Sequence, residues 1–381
     1  RCLFTTLQIT PGKTMFVEGA ATGTGFDALK SGVRTGLSVT GMVSSEERAE
    51  QVRSCGAVGA IIRRDPDLQA LFTPVPDDPR AAADWEAAGQ LLLQRYRDLN
   101  AGKLADFVVS HAGERAFPRS FQLLAEGGTL AFFGASSGYH FSFMGKTGSS
   151  PPDAMLARAG VRGGEGALLY YGVGSPDLAD AHGLELIEAA RLFKTRLVVV
   201  TYTDGQREFL QSLGLEDSVA GILSLEALIR QGGDQFAWPK TLPRLPDAKE
   251  DIEAFQKGVR DYQQRTLKPF GSAVGRYLRS ASNPRGTPSI VLERAASDTL
   301  GVSTSLVKPF GGRVVYTEDM SGKRYTFYAP QVWTRQRRIL MPTANIYGAH
   351  LCNAHEVTLM NNMIAAGLLD VTEPTVVPWP E

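Results

Sequence analysis

The chain has 381 residues, 43% of them apolar and 21% charged, an ordinary composition for a folded globular protein whose length calls for two compact units rather than one core. Forty Lys and Arg balance forty Asp and Glu, so no overall field draws the chain to nucleic acid or to an anionic membrane, and no apolar run of about 18 residues is long enough to span one. Cys2, Cys55 and Cys352 lie far apart without a CxxC pair, which excludes a disulfide framework and a four-thiolate zinc site and fits a reduced, cytoplasmic protein.

The first residues, Arg1 to Thr14, lack the basic-then-apolar layout of a signal peptide, and the half-apolar opening is expected to run straight into a strand. The chain therefore reads as a piece of a longer one. Strand-like runs then alternate with helical patterns, the signature of a parallel α/β sheet. Thr14–Glu18 is a strand, followed by a glycine-rich turn and a helix near Asp27–Thr35. Leu37–Val43, a helix at Glu46–Cys55 and the short run Gly59–Arg63 come next. Pro66–Pro79 is loop-like and Ala81–Asn100 reads as one charge-paired helix. Asp106–Ser110 and Gly128–Gly134 are strands around a helix at Phe117–Ala125, which the Gly127-Gly128 pair should stop.

Tyr139–Gly166 is rich in Gly, Ser and Pro and marks a junction, giving units 1–164 and 165–381. The grammar then restarts: strand Ala167–Tyr171, helix Ala181–Lys194, strand Arg196–Val200, helix Gly205–Leu213 and a short strand at Gly221–Leu225. A solvated helix at Ala248–Arg265 and strands at Ser289–Glu293 and Gly312–Tyr316 close the series. Helix, Gly-Gly and apolar strand recur at Phe121–Gly134 and Ser303–Tyr316, with Ser137-Gly138 and Ser321-Gly322 at similar offsets, as a duplication would leave them. The expected fold is α/β, built from tandem Rossmann-like, doubly wound parallel-sheet units.

The segment holding Gly19, Ala21, Thr22, Gly23, Thr24 and Gly25 lies where a strand meets a helix. Glycines there allow a sharp turn and let a diphosphate reach main-chain N–H groups at the helix start. NAD-preferring sites place an acid about 20 residues on; here Ser44, Ser45 and Arg48 stand in that region, a set suited to a 2′-phosphate, so NADPH is the expected cofactor. Ser45 could equally be a plain helix cap. Gly134, Ala135 and Ser136, at the end of the fifth strand, are small enough for a nicotinamide ring to lie on the backbone, and His111 after the fourth strand is a candidate to line the same cleft. In the second unit, Tyr170–Pro176 breaks the glycine pattern, so that unit reads as a degenerate copy serving as scaffold, with a second nucleotide site as the other reading. The basic run Arg335–Arg338 reads as a solvated face, with a CoA phosphate as the other reading, and Tyr325–Tyr328 with Trp333 as core aromatics. No metal site is expected, since His350 and His355 are badly spaced for helical ligation.

These residues resemble the medium-chain dehydrogenase/reductase superfamily, and within it the 2-enoyl-CoA reductases. Leu3–Gly25 looks like the family's entry into its cofactor domain, Val43–Gly56 like its adenosine-ribose segment, and Ile346–Asn353 like a Gly-Ser-His-Phe-Ala-Asn segment of crotonyl-CoA carboxylase/reductases. The resemblance extends to acrylyl-CoA-reducing members fused into multifunctional enzymes. It implies NADPH-dependent hydride addition to the β-carbon of an acyl-CoA substrate and gives His350 as a catalytic candidate. It also implies a GroES-like domain, absent here, and other catalytic domains upstream, in an enzyme that is a homodimer through its sheet edges. A quinone or carbonyl reductase of the same superfamily, and a non-catalytic pseudo-dehydrogenase scaffold, are the rival readings.

Overall fold

The computed structural model describes residues 2–172, 177–215, 219–239, 241–246, 250–294, 296, 298–349 and 354–367. Strands β1 (Thr14–Val17), β2 (Ser38–Val43), β3 (Gly59–Ile62), β4 (Ala105–Ser110) and β5 (Leu124–Phe132) run parallel in the order β3-β2-β1-β4-β5. β6 (His140–Met144) follows outside that sheet. The second half repeats the plan with β7 (Gly166–Tyr171), β8 (Arg196–Thr201), β9 (Gly221–Ser224), β10 (Ile290–Glu293) and β11 (Arg313–Tyr316), parallel in the order β9-β8-β7-β10-β11. The central strands β1 and β7 are buried along their whole length, the mark of strands covered by helices on both faces.

Two more strands weld the halves into one 12-stranded sheet. β13 (Arg338–Leu340) runs parallel to β11, while β14 (Ala344–Gly348) turns back antiparallel to β13 and lies parallel to β5. β12 (Arg324–Tyr328), which follows β11 as β6 follows β5, pairs antiparallel with β6, Ser142 opposite Thr326. Both antiparallel pairs set the halves about an approximate two-fold axis. Phe143 and Tyr325 stack across it at 5.5 Å, inside a buried aromatic cluster with Phe117, Phe132, Phe141 and Phe327. The tandem Rossmann-like expectation holds, with the sheet continuous across the junction and, among the described residues, β3 and β9 as its outer strands.

Cys2–Leu7, ahead of the first strand, is a wide helical turn. Several local expectations are corrected. The helix at Phe117 ends at Gln122, and Gly127-Gly128 lie inside β5 beside a register shift against β4; a Cβ on Gly128 would sit 2.9 Å from the Ala105 carbonyl oxygen. The charge-paired helix splits into Pro79–Ala88 and Gln90–Leu99 at Gly89, because the Arg119 guanidinium packs there. A Cβ on Gly89 would come within 2.1 Å of Arg119 Nη1. Ile252–Tyr262 continues through a wide turn at Gln263–Leu267 into a helix at Lys268–Leu278. Within the basic run, Arg337 is buried rather than solvated; its guanidinium donates to the carbonyls of Thr304, Ser305 and Gln331, and burial pushes its pKa down to about 9.

Candidate functional site

In an open α/β sheet the binding crevice lies at the carboxyl ends of the strands, where neighbouring connections diverge to opposite faces. In the first unit that place lies between β1 and β4. Glu18 follows β1, and its buried Oε2 accepts from the Ser110 hydroxyl (2.7 Å) and from the main-chain N–H groups of His111 (2.8 Å) and Ala112 (3.1 Å). One carboxylate thereby fixes the loop after β4 against the turn after β1. Its other oxygen, Oε1, is buried without a partner, as is His111 Nε2.

The turn itself is tight, with open space at Gly23. Gly19 has φ +60°, and a Cβ there would stand 2.8 Å from His111 Cε1. A Cβ on Gly25 would lie 2.2 Å from the Gly19 carbonyl oxygen, so only glycine allows the helix Gly23–Arg34 to start this close to the strand. Thr22, the N-cap, turns its hydroxyl back to the Gly19 carbonyl (2.7 Å) and caps no helix amide. Gly23 and Thr24 are exposed, and a Cβ on Gly23 would meet nothing within 4 Å. Ala21 flanks the turn, and the Ala20 N–H donates to Met42 at the end of β2. Uncapped amides at a helix start with open space above them suit a diphosphate.

Ser44, Ser45 and Arg48 follow β2 as expected, but Ser45 serves as a cap: its hydroxyl accepts from the Arg48 N–H at 3.4 Å. The Arg48 side chain is exposed. Beside it, exposed Arg63 donates its N–H to the Val43 carbonyl (2.8 Å), which sets Arg63 and Arg64 next to the same strand end. The sequence reading missed these two because the partner strand β3 brings them in. Gly134, Ala135 and Ser136 form the loop after β5; Gly134 has φ +71°, and the Ser136 and Ser137 hydroxyls both donate to the Ala112 carbonyl. The His111 ring stacks on Phe133 with centroids 5.6 Å apart. Turn, strand-end cations and small-residue loop thus line one continuous edge. His350 lies outside the described residues.

Beyond Ala135 opens a cleft of about 610 Å³, walled on one side by Glu114, Arg115 and Ser136–His140 and on the other by Arg244, Leu245, Pro246, Phe255 and Tyr328 of the second half. Its size suits a small-molecule site. Burial holds the His140 imidazole below its usual range, and its Nε2 faces the Leu242 carbonyl at 3.4 Å.

The equivalent place in the second unit is filled from within. The Asp180 carboxylate takes the N–H groups of Gly172 (2.8 Å) and of Gly183 (3.1 Å), and pairs with the Arg294 guanidinium. Arg294 also bonds Glu318 at 2.6 Å, and the His182 ring reaches the Thr317 hydroxyl at 2.7 Å. Burial would raise the Asp180 carboxyl, but Arg294 and the two amides hold it below the usual carboxylate range. Gln206 covers the glycine from the other side, its Nε2 2.1 Å from where a Cβ on Gly172 would be. The remainder of the Tyr170–Pro176 turn lies outside the described residues.

No family model matches the chain. Among curated proteins, crotonyl-CoA reductase of Streptomyces avermitilis is 29% identical over 128 residues, which is 34% of this chain and 27% of the relative. Crotonyl-CoA carboxylase/reductase of Cereibacter sphaeroides is 26% identical over 137 residues, 36% of this chain and 31% of the relative. The resemblance to the enoyl-CoA reductase type of the medium-chain superfamily holds. The chain spans between a quarter and a third of the length of the curated relatives it matches. Among solved structures, the crotonyl-CoA carboxylase/reductase AntE in complex with NADP is 27% identical over 34% of this chain and 32% of its own, with a TM-score of 0.32.

Proposed function

We propose that the first unit is the NADPH-binding portion of a 2-enoyl-CoA reductase. The observation that carries this reading is the uncapped, unobstructed glycine turn at Thr22–Gly25, with buried Glu18 Oε1 and His111 Nε2 left without partners beside it. When bound, NADPH supplies a hydride for the β-carbon of an unsaturated thioester. The chain's own part is to bind and orient. Main-chain N–H groups of Gly23, Thr24 and Gly25 hold the diphosphate, with the His111 ring closing over Gly19. Ser44 and the guanidiniums of Arg48, Arg63 and Arg64 take the extra phosphate of the adenosine ribose. Gly134, Ala135 and Ser136 give the nicotinamide a flat floor at the mouth of the 610 Å³ cleft, where the thioester would lie.

The acrylyl thioester is the substrate we favour, as in the acrylyl-CoA reductase part of propionyl-CoA synthase, a multifunctional cytoplasmic enzyme whose further domains would complete the catalytic set. The second unit, closed by Asp180, Arg294 and Gln206, acts as a scaffold and cleft wall rather than as a second nucleotide site. NADPH fluorescence titration of the chain tests the cofactor assignment; saturation in the micromolar range is expected, and no binding below millimolar concentration refutes it. Turnover of acryloyl-CoA against a quinone, measured on the full parent enzyme, separates this substrate from the quinone-reductase reading.

A further inference from the structure

The cleft beyond Ala135 is walled by a segment of the second half that is fastened at Leu242, Pro243 and Arg244. His140 Nε2 meets the Leu242 carbonyl, the Tyr328 hydroxyl donates to the Pro243 carbonyl, and Arg244 Nη2 lies 2.5 Å from Glu114 Oε1. Glu114 is itself fixed, since its Oε2 accepts the His140 N–H at 3.2 Å. The two partners of the ion pair differ sharply in setting: the Glu114 side chain is 10% exposed and that of Arg244 63%. Arg244 is therefore held to Glu114 through one nitrogen while most of its side chain stays exposed, and its guanidinium carries further donors. Arg115, also exposed, is a second cation on the opposite wall. Tyr139, on the cleft wall, packs against Phe255 (6.3 Å), which also lines it, and against Trp333 (6.0 Å), so part of the lining is aromatic.

The cleft thus offers guanidiniums to a phosphate and aromatic surface to an acyl chain or the arm that carries it, with Glu114 engaged by Arg244 and Glu250 also on the wall. Resting on the reductase reading above, we infer that Arg244 is a specificity-determining residue, reaching in from the second unit to take a phosphate of a phosphate-bearing acyl thioester, on either a phosphopantetheine arm or coenzyme A. The Glu114 pair holds the guanidinium in place before the ligand arrives and leaves its other donors free to bind it.

The test is calorimetric titration of the full chain, saturated with NADP⁺ so that no hydride can move. The probes are the 2-butenoyl thioesters of coenzyme A, of 4′-phosphopantetheine and of N-acetylcysteamine. Arg244→Ala should weaken the phosphate-bearing ligands roughly 10- to 100-fold, the range for a lost charge-assisted contact, and leave the N-acetylcysteamine ester unchanged. Arg244→Lys, which keeps a cation beside Glu114, should fall between at a melting temperature close to the wild-type value. Equal losses on the first two ligands assign the arm's phosphate; a loss on coenzyme A alone assigns its nucleotide phosphates. Unchanged affinities, or an equal loss on all three, overturn the inference. Wild-type protein that binds NADP⁺ but none of the thioesters overturns the reductase reading as well.

Discussion

Replacing Gly23 with alanine separates binding from folding at the proposed cofactor turn. The new methyl group would meet no atom within 4 Å in the free protein, and Gly23 opens the helix Gly23–Arg34. Alanine favours a helix interior over glycine by about 0.8–1 kcal/mol, a gain reduced at the first position, so the free variant should melt at or slightly above the wild-type temperature. A diphosphate on those amides would have to pass through the methyl's volume. Forcing a methyl group into a filled contact costs roughly 1–3 kcal/mol, or about 5- to 150-fold in Kd. Gly25→Ala is the contrast: its Cβ would lie 2.2 Å from the Gly19 carbonyl oxygen, so it should lower both stability and affinity. NADPH fluorescence titration with parallel melting curves reads both effects. If Gly23→Ala binds NADPH as tightly as the wild type, the diphosphate does not lie at this turn and the cofactor assignment goes with it.

Three further outcomes are expected. Arg48→Ala with Arg63→Ala should weaken NADPH by roughly 10-fold or more while leaving NADH nearly unchanged, because each removes a charge-assisted contact to the extra phosphate alone; equal losses on both cofactors would contradict this. Calorimetry should find one NADPH per chain, with Asp180 holding the second unit's turn, and a second saturable site would disprove that closure. Glu293 is fully buried, and burial pushes its carboxyl up from 4.5 to about 8 despite hydroxyls from Thr299 and Ser303. The folded chain keeps that proton where the unfolded chain has released it, so stability should fall as pH rises from about 4.5 to 8, by up to about 1.4 kcal/mol per pH unit. Glu293→Gln should remove up to about 3 kcal/mol of the fall between pH 5.5 and 7.5 in urea unfolding; a variant with the wild-type slope would refute it.

What was legible in the sequence is local. Strand, glycine turn and helix follow one another within Thr14–Arg34, and both the apolar run and the glycine spacing belong to that one segment. Ser45 as a cap was readable for the same reason. What escaped depends on distant partners. Glu18 looked like the last residue of a strand, and only the loop after β4 gives it three donors. Gly127-Gly128 has the composition of a helix stop, yet β4 draws it into β5, where close approach to the Ala105 carbonyl needs the missing side chain. Arg337 sits in a run of cations, and its burial comes from carbonyls of Thr304, Ser305 and Gln331. Arg244 carries no local signal; Glu114 and a fold that brings the two halves together give it a place.

The strand that flanks β5 is made from residues 344–348, which leave the ribosome long after β5 itself. Until then the early half waits with a bare row of amides and carbonyls beside the loop proposed to seat the nicotinamide, and with β6 still lacking β12. Such late, long-range pairing slows folding and leaves an adhesive border exposed during synthesis. A nascent chain of this design would gain from a chaperone or a neighbouring domain that shields the border.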